Sequence, residues 1–296
     1  LTKLDLSKFD TSNVTNMSGM FAGCKSLTAL NITNFNTSNV TNMSSMFRDC
    51  YALNTIDLTS FNTEIVTDMS GMFCGCDLTS LDMKGMLACC GKVTSLELNS
   101  CNTSNVTDMY GMFSYCSNLK SLNLGKFNTE KVANMGEMFM DCQSLTSLDL
   151  SSFNTTKVTN MLRMFAGCSA LTSLNLNTFN TKNVIDMSFM FVECYGLTSI
   201  DLYNFSTSNV IRMVNIFAIC PNLTSLDISS FNTNNVVDMS GMFWGCENLA
   251  SLNLSSFNTS NITDMHYMFN GCEHLESLNL SGFNTSKVTD MSSMFE

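Results

Sequence analysis

The sequence predicts a β-rich solenoid, a right-handed coil of about 12 stacked units, each with two short parallel strands and a helical or 3₁₀ turn. Three observations predict it. The first is a fixed period. A Met-Phe pair ends at Phe21, Phe47, Phe73, Phe113, Phe139, Phe165, Phe191, Phe217, Phe243, Phe269 and Phe295, with Ile216 replacing one Met; every gap is 26 residues except the 40 between Phe73 and Phe113. The second is the recurrence of like residues at like places: a Met stands four residues before each Phe, from Met17 and Met43 through to Met291. The third is composition. Asn, Thr and Ser are abundant while Ala, Glu and Arg are scarce, which favours short strands joined by ordered turns over helical units. One such unit cannot bury its own apolar face, whereas a stack of them buries a continuous core.

Taken in chain order, each unit opens with an L-x-x-L-x-L run, which starts at Leu1, Leu27, Leu53, Leu78, Val93, Leu119, Leu145, Leu171, Leu197, Leu223, Leu249 and Leu275. A period of two puts Leu4 and Leu6 inward and Lys3 and Asp5 outward. An S-x-F-N-T-S-N turn follows, with an apolar row of its own at Phe9, Phe35, Phe61 and Phe127. V-T-x-M then reads as a second strand, with Val14 and Met17 near the core. The M-F-x-G-C segment is too compact for a third strand, so a helical or 3₁₀ turn closed by Gly23 and its equivalents is expected. Coils spaced by roughly 4.8 Å would make a rod of about 55 Å. In-register stacking assigns Thr11 and Thr37, and Asn13 and Asn39, to polar rows whose side chains bond turn backbone that no ladder satisfies.

The period makes residues 1–296 a single elongated domain with one truncated unit at 78–92. There the unit shortens to LTSLDMKGMLACCGK, which keeps the first strand and a Cys-Cys turn but lacks the Phe-Asn-Thr turn and the V-T-x-M strand. Cys101 then replaces the turn Phe of the next coil. This irregularity, with Cys74, Cys76, Cys89, Cys90 and Cys101, is where a special site is expected if the chain has one. Of the 14 cysteines, Cys24, Cys50 and their equivalents form one row, which suits a small, buried, mildly polar side chain. Disulfides along the row, or between Cys89 and either Cys74 or Cys101, are geometrically conceivable. The paired C-x₂₋₄-C spacing of a zinc site is absent, so no metal ligand is assigned.

Lys plus Arg is 14 and Asp plus Glu is 25, giving a net charge of −11. Only Arg48, Arg163 and Arg212 are arginines, and no basic stripe exists for nucleic acid or for an anionic membrane surface. No apolar run reaches transmembrane length, and no signal peptide is recognisable. The chain starts in phase with the repeat and stops just after a Met-Phe, without a capping unit at either end. Flanking sequence is therefore expected, or ends that stack on other copies.

Catalytic motifs are absent, and no catalytic or cofactor-binding residue is assigned. His266 and His274 read as surface variants, because Ser240 and Asn248 occupy their places one coil earlier. Two rows rich in acids, one through Asp5, Asp149, Asp201 and Asp227 and one through Asp68, Asp108, Asp186, Asp238, Asp264 and Asp290, read as a solvated face, with weak calcium binding the lesser alternative. Where carboxylates stack coil on coil, their mutual repulsion is expected to raise the pKa.

The stretches FDTSNVTNMSGMFAGCKSLTALNI (Phe9–Ile32) and FNTSKVTDMSSMF (Phe283–Phe295) carry a family likeness. The chain resembles BspA-like leucine-rich-repeat surface proteins, and more closely the 25- to 26-residue lipoprotein-type repeat of unknown function found in mycoplasmas and Gram-positive bacteria. It departs from that pattern at Lys84–Lys92. The resemblance implies a leucine-rich-repeat-like solenoid, bacterial in source and displayed outside the cell or on its surface. It supplies no catalytic residue. The function expected is a non-enzymatic scaffold for binding or adhesion to host, matrix or neighbouring-cell components, its partner a protein or glycan on a surface. Neither nucleic acid nor membrane insertion enters this reading. The alternative is a structural rod or fibre element that self-associates end to end. A lesser alternative is ice or mineral binding, against which the Thr15 row is interrupted by Ala133, Ile185, Ile211 and Val237.

Overall fold

The computed structural model describes the chain except Asn54, Thr59, Glu64, 70–71, 74–75, 77–86, 88–92, 98–102 and Asn105. Cys74, Cys89, Cys90, Cys101 and nearly all of the truncated unit lie outside the described residues. Elsewhere the coils stack in a register of 26. The first strand row supplies the short strands β1 (Ala29–Leu30), β2 (Thr55–Ile56), β3 (Ser95–Glu97), β4 (Ser121–Asn123), β5 (Ser199–Ile200) and β6 (Ser225–Leu226). They pair in parallel as β1–β2, β3–β4 and β5–β6, with Leu30 beside Ile56 and Leu96 beside Leu122. The expected second strand is reduced to single parallel bridges at the x of V-T-x-M. These run Asn16–Asn42–Asp68 and then from Asp108 through Asn134, Asn160, Asp186, Arg212, Asp238 and Asp264 to Asp290.

The expectation of a helical or 3₁₀ turn is wrong. Among the described residues the M-F-x-G-C segment is neither; it is a ladder of overlapping turns. Alternate N–H groups leave the coil: Met17, Gly19, Phe21 and Gly23 donate to the carbonyls of Asn42, Ser44, Met46 and Arg48 one coil on. The N–H groups between them, on Met20, Ala22 and Cys24, close turns onto Met17, Gly19 and Phe21. This alternation needs two left-handed residues per coil. One row runs from Gly19 and Ser45 to Tyr267 and Ser293, the other from Gly23 and Asp49 to Gly245 and Gly271, all with φ between 50° and 73°. A helical turn would bond the segment only to itself, and one turn is too short to repay its nucleation. The stacked coil instead gives each outward N–H a carbonyl at fixed register. Gly23, read as a helix closure, is one step of this ladder.

The core is built from rows. Phe21, Phe47 and Phe73 stack at 5.5–5.6 Å with nearly parallel rings. A second run extends from Phe113 through Phe139 and Phe165 to Phe269, including 5.7 Å between Phe139 and Phe165. Each buried ring contributes about 1.5–3 kcal/mol by burial, and stacking adds roughly 0.5–1.5 kcal/mol. Met17 and Met43 are buried beside this row. Leu87, the one described residue of the truncated unit, occupies the Phe position: it is buried, and its N–H donates to the Met112 carbonyl as Phe113 N–H does to Met138. The turn row at Phe35, Phe127 and Phe153 is buried, whereas Phe9 is half exposed.

Candidate functional site

Most polar rows are occupied by the fold itself. The Thr11 hydroxyl donates to the Asn36 carbonyl at 3.0 Å and accepts the Asn36 N–H at 2.8 Å, so it clips one turn to the next. Thr37 does the same to Asn62, and the row continues to Thr259, which bonds Asn284. These threonines are buried because both hydroxyl roles are filled. In the neighbouring row the Asn39 amide donates to the Ser12 carbonyl one coil back, as Asn183, Asn209 and Asn235 do at their own positions. Asn13 is exposed in the first coil.

The cysteine row is also structural. Cys50 Sγ donates to the Phe21 carbonyl at 3.1 Å and Cys76 Sγ to the Phe47 carbonyl at 2.9 Å, a contact repeated as far as Cys272. Cys50, Cys142, Cys168, Cys194, Cys220 and Cys246 are buried free thiols, whereas Cys24 and Cys272 are half buried. Burial first, and neighbouring charges after it, push the thiols up. Cys142 and Cys194 reach about 12, and Cys168, Cys220 and Cys246 stand well above the usual thiol value. A row of neutral, buried thiols offers no nucleophile.

The acid rows correct an expectation. Asp5, Asp149 and Asp227 are held below the usual carboxylate range, not above it, because each accepts hydrogen bonds from Ser7, Ser151 or Ser229 two residues on. Asn31, Asn123 and Asn175 lie between the acids of this row, and solvent screens what repulsion is left. The face along β5 and β6, lined by Ser199, Asp201, Ser225, Asp227, Ser251 and Asn253, is a shallow groove of about 500 Å³.

One cluster breaks the repetition. On the turn-ladder face Asn215, Trp244, His266, Tyr267, Asn270 and Glu296 line an open groove of about 630 Å³. Trp244 is the chain's only tryptophan, and its ring lies 6.0 Å from that of Tyr267. His266 meets Tyr267 edge-on at 5.4 Å. Its Nδ1 sits 2.6 Å from Asp264 Oδ1, which also accepts the His266 backbone N–H. Asp290, one coil beyond Asp264, brings a third donor within 4.8 Å, the one group among the described residues that could hold a metal ion. Three donors on an open face fall short of a closed site, and the His266–Asp264 contact stands as an ion pair when the ring is protonated. Sequence reasoning set both histidines aside as row variants. It had already stacked Asp290 on Asp264 in one acid row; the signal it passed over is that His266 stands two residues from Asp264.

Residues 1–80, 81–199 and 213–296 match the family described as Mycoplasma protein of unknown function, DUF285. The chain belongs to that family. No curated protein matches it. Among solved structures, this DUF285 chain is similar to a leucine-rich repeat protein from Eubacterium ventriosum, at 16% identity over 90% of this chain and 82% of that one, with a TM-score of 0.44. A leucine-rich repeat protein from Bacteroides ovatus matches at 16% identity over 88% and 81%, TM-score 0.39. A leucine rich cell surface protein from Faecalibacterium prausnitzii matches at 17% identity over 91% and 78%, TM-score 0.28.

Proposed function

We propose that this DUF285 chain is a non-enzymatic scaffold displayed outside the cell, which binds components of a host, matrix or neighbouring-cell surface. The observation that carries the reading is how the aromatic residues are sorted. Phenylalanine fills the interior rows, while Tyr51, Tyr115, Tyr195, Tyr203, Tyr267 and Trp244 are exposed. Nothing in the packing requires tyrosine there, since small or charged residues hold the same places in other coils: Ser117 and Glu247 match Tyr195, and Ser7 matches Tyr203. Exposed Tyr and Trp supply rigid contact area with a polar tip, the composition enriched at protein and ligand contacts. The regular Asn and Thr rows around them are bonded internally and leave a stiff face. Among the described residues no helix is long and apolar enough to cross a membrane.

The test is a solid-phase screen of the purified chain against extracellular-matrix proteins and a glycan array, beside the double variant Tyr195→Ser, Tyr203→Ser. Saturable binding weakened by the variant, with an unchanged unfolding midpoint, supports the reading. No binding on either surface sinks it and leaves the structural rod.

A further inference from the structure

We propose that the groove at Trp244 and Tyr267 is a binding site for a neutral pyranose sugar, most simply the end of a glycan chain; this rests on the surface-binding reading and gives it a ligand class. In a repeat protein, a feature that recurs in every coil serves the stack, and a feature that occurs once is free to serve a ligand. Trp244 is the only aromatic residue in its row: Ala166, Val192 and Ala218 precede it and Asn270 follows. His266 is the only histidine in its row, which otherwise reads Ser188, Val214, Ser240 and Ser292 nearby. The three coils that carry Asn215, Trp244 and Tyr267 thus bring together side chains that no other part of the described face repeats.

Their chemistry selects the ligand. Trp244 and Tyr267 are 39% and 41% exposed and tilted 36° to each other, so they form an angled apolar wall open to solvent. The C–H face of a pyranose packs on such rings, whose faces carry negative charge and attract its polarised C–H groups. A sugar's hydroxyls need groups that both donate and accept. The Asn215 and Asn270 amides do both, and with Nδ1 committed to Asp264, His266 has Nε2 left for the groove. No lysine or arginine lines the site, and Glu296 does, which disfavours a phosphate, sulfate or uronate. Two rings with two amides fit a polyol better than a quaternary ammonium, which calls for aromatic faces on several sides. The groove is also shaped by Gly241: it stands between Asn215 and Tyr267 in their row at φ +57°, and a Cβ there would collide with the Asn215 side chain. The small residue lets the Asn215 amide lie over the coil that separates it from Tyr267.

The sole tryptophan makes the site its own reporter. Emission from Trp244 in the intact chain is followed during titration with methyl glucoside, methyl mannoside, methyl galactoside and N-acetylglucosamine, with glucuronate and choline as opposing probes. A saturable change with at least one neutral sugar is expected. His266→Ala and Tyr267→Asn, the latter keeping a residue that tolerates left-handed backbone, should each weaken it by roughly tenfold with unfolding midpoints near that of the parent chain. Trp244→Ala, followed by calorimetry, should abolish it. A response to choline or glucuronate alone, no response to any sugar, or a sugar response unchanged in both variants overturns the proposal. Adhesion to a glycan-free matrix protein that survives these variants would leave the broader function standing while the sugar site falls.

Discussion

At Thr155 one hydroxyl serves two coils. It donates to the Asn180 carbonyl at 3.0 Å, accepts the Asn180 N–H at 2.7 Å, and is fully buried. Valine has the same shape and neither bond, so Thr155→Val leaves both Asn180 groups unpaired. A loss of about 2–4 kcal/mol in urea denaturation is expected, with Thr155→Ser losing under about 1 kcal/mol. The left-handed rows give the opposite case. Ile219 holds φ 56°, where a β-branched side chain is strained. Ile219→Gly should relieve about 1–2 kcal/mol of backbone strain and return roughly 0.5–1 kcal/mol as chain entropy. The half-buried side chain takes back what is left, so the denaturant midpoint should stay close to that of the parent chain, where the same truncation at a right-handed site would lower it. These two residues differ in how far they can be read in advance. A polar residue that recurs once per coil among apolar rows announces a bond along the stack, as at Thr11 and Thr37. A backbone angle leaves no such mark, since Ser45, Glu137, Arg163 and Phe189 all occupy one left-handed row.

Between residues and molecule, the element that matters is the coil-to-coil contact. Phe165 is fully buried and stacks at 5.7 Å on Phe139 and again on Phe191. Phe165→Ala removes ring area from two interfaces at once and should cost about 3–5 kcal/mol. Because each coil touches only its neighbours, the loss should also divide the stack, lowering the denaturant m-value as well as the midpoint. Phe165→Leu should cost less than about half as much, since Leu87 already fills this row between Met112 and Cys116. An unchanged m-value in Phe165→Ala would mean that the coils unfold as one unit. The period of 26 made this contact legible, because residues 26 apart had to meet. The same period said nothing of how M-F-x-G-C is bonded. Gly19 and Gly23 fit a helix end and a turn ladder equally, and only the next coil's carbonyls decide between them. The meeting of His266 with Asp290 escaped for a related reason. Their approach combines one coil of offset with one turn, and row-by-row comparison looks along rows, not between them.

For the whole molecule, the row of thiols sets the response to alkali. An unfolded cysteine ionises near 9.0, whereas in the folded chain Cys142 and Cys194 hold their protons to about 12, and Cys168, Cys220 and Cys246 hold theirs well above the usual value. The folded state therefore favours the neutral thiol. Its contribution is fully present below pH 9 and is lost as pH rises towards 12, because there the unfolded chain releases protons that the folded chain keeps. Each such thiol lowers stability by up to about 1.4 kcal/mol per pH unit in that window. The slopes add along the axis, so the stack should unfold cooperatively well before any buried thiol ionises in place. Other groups push the same way: Tyr110 is raised to about 12 by burial and by its hydrogen bond to Glu137, and a chain of net charge −11 repels itself more as its lysines lose their protons. Cys168→Ala separates the causes, since it removes one thiol and leaves tyrosine and charge untouched. Its denaturant midpoint should lie below that of the parent chain near pH 7, where a small cavity and one Sγ–carbonyl bond are lost, and the gap should narrow or reverse above about pH 10. A gap independent of pH would show that the thiol row takes no part in alkaline unfolding.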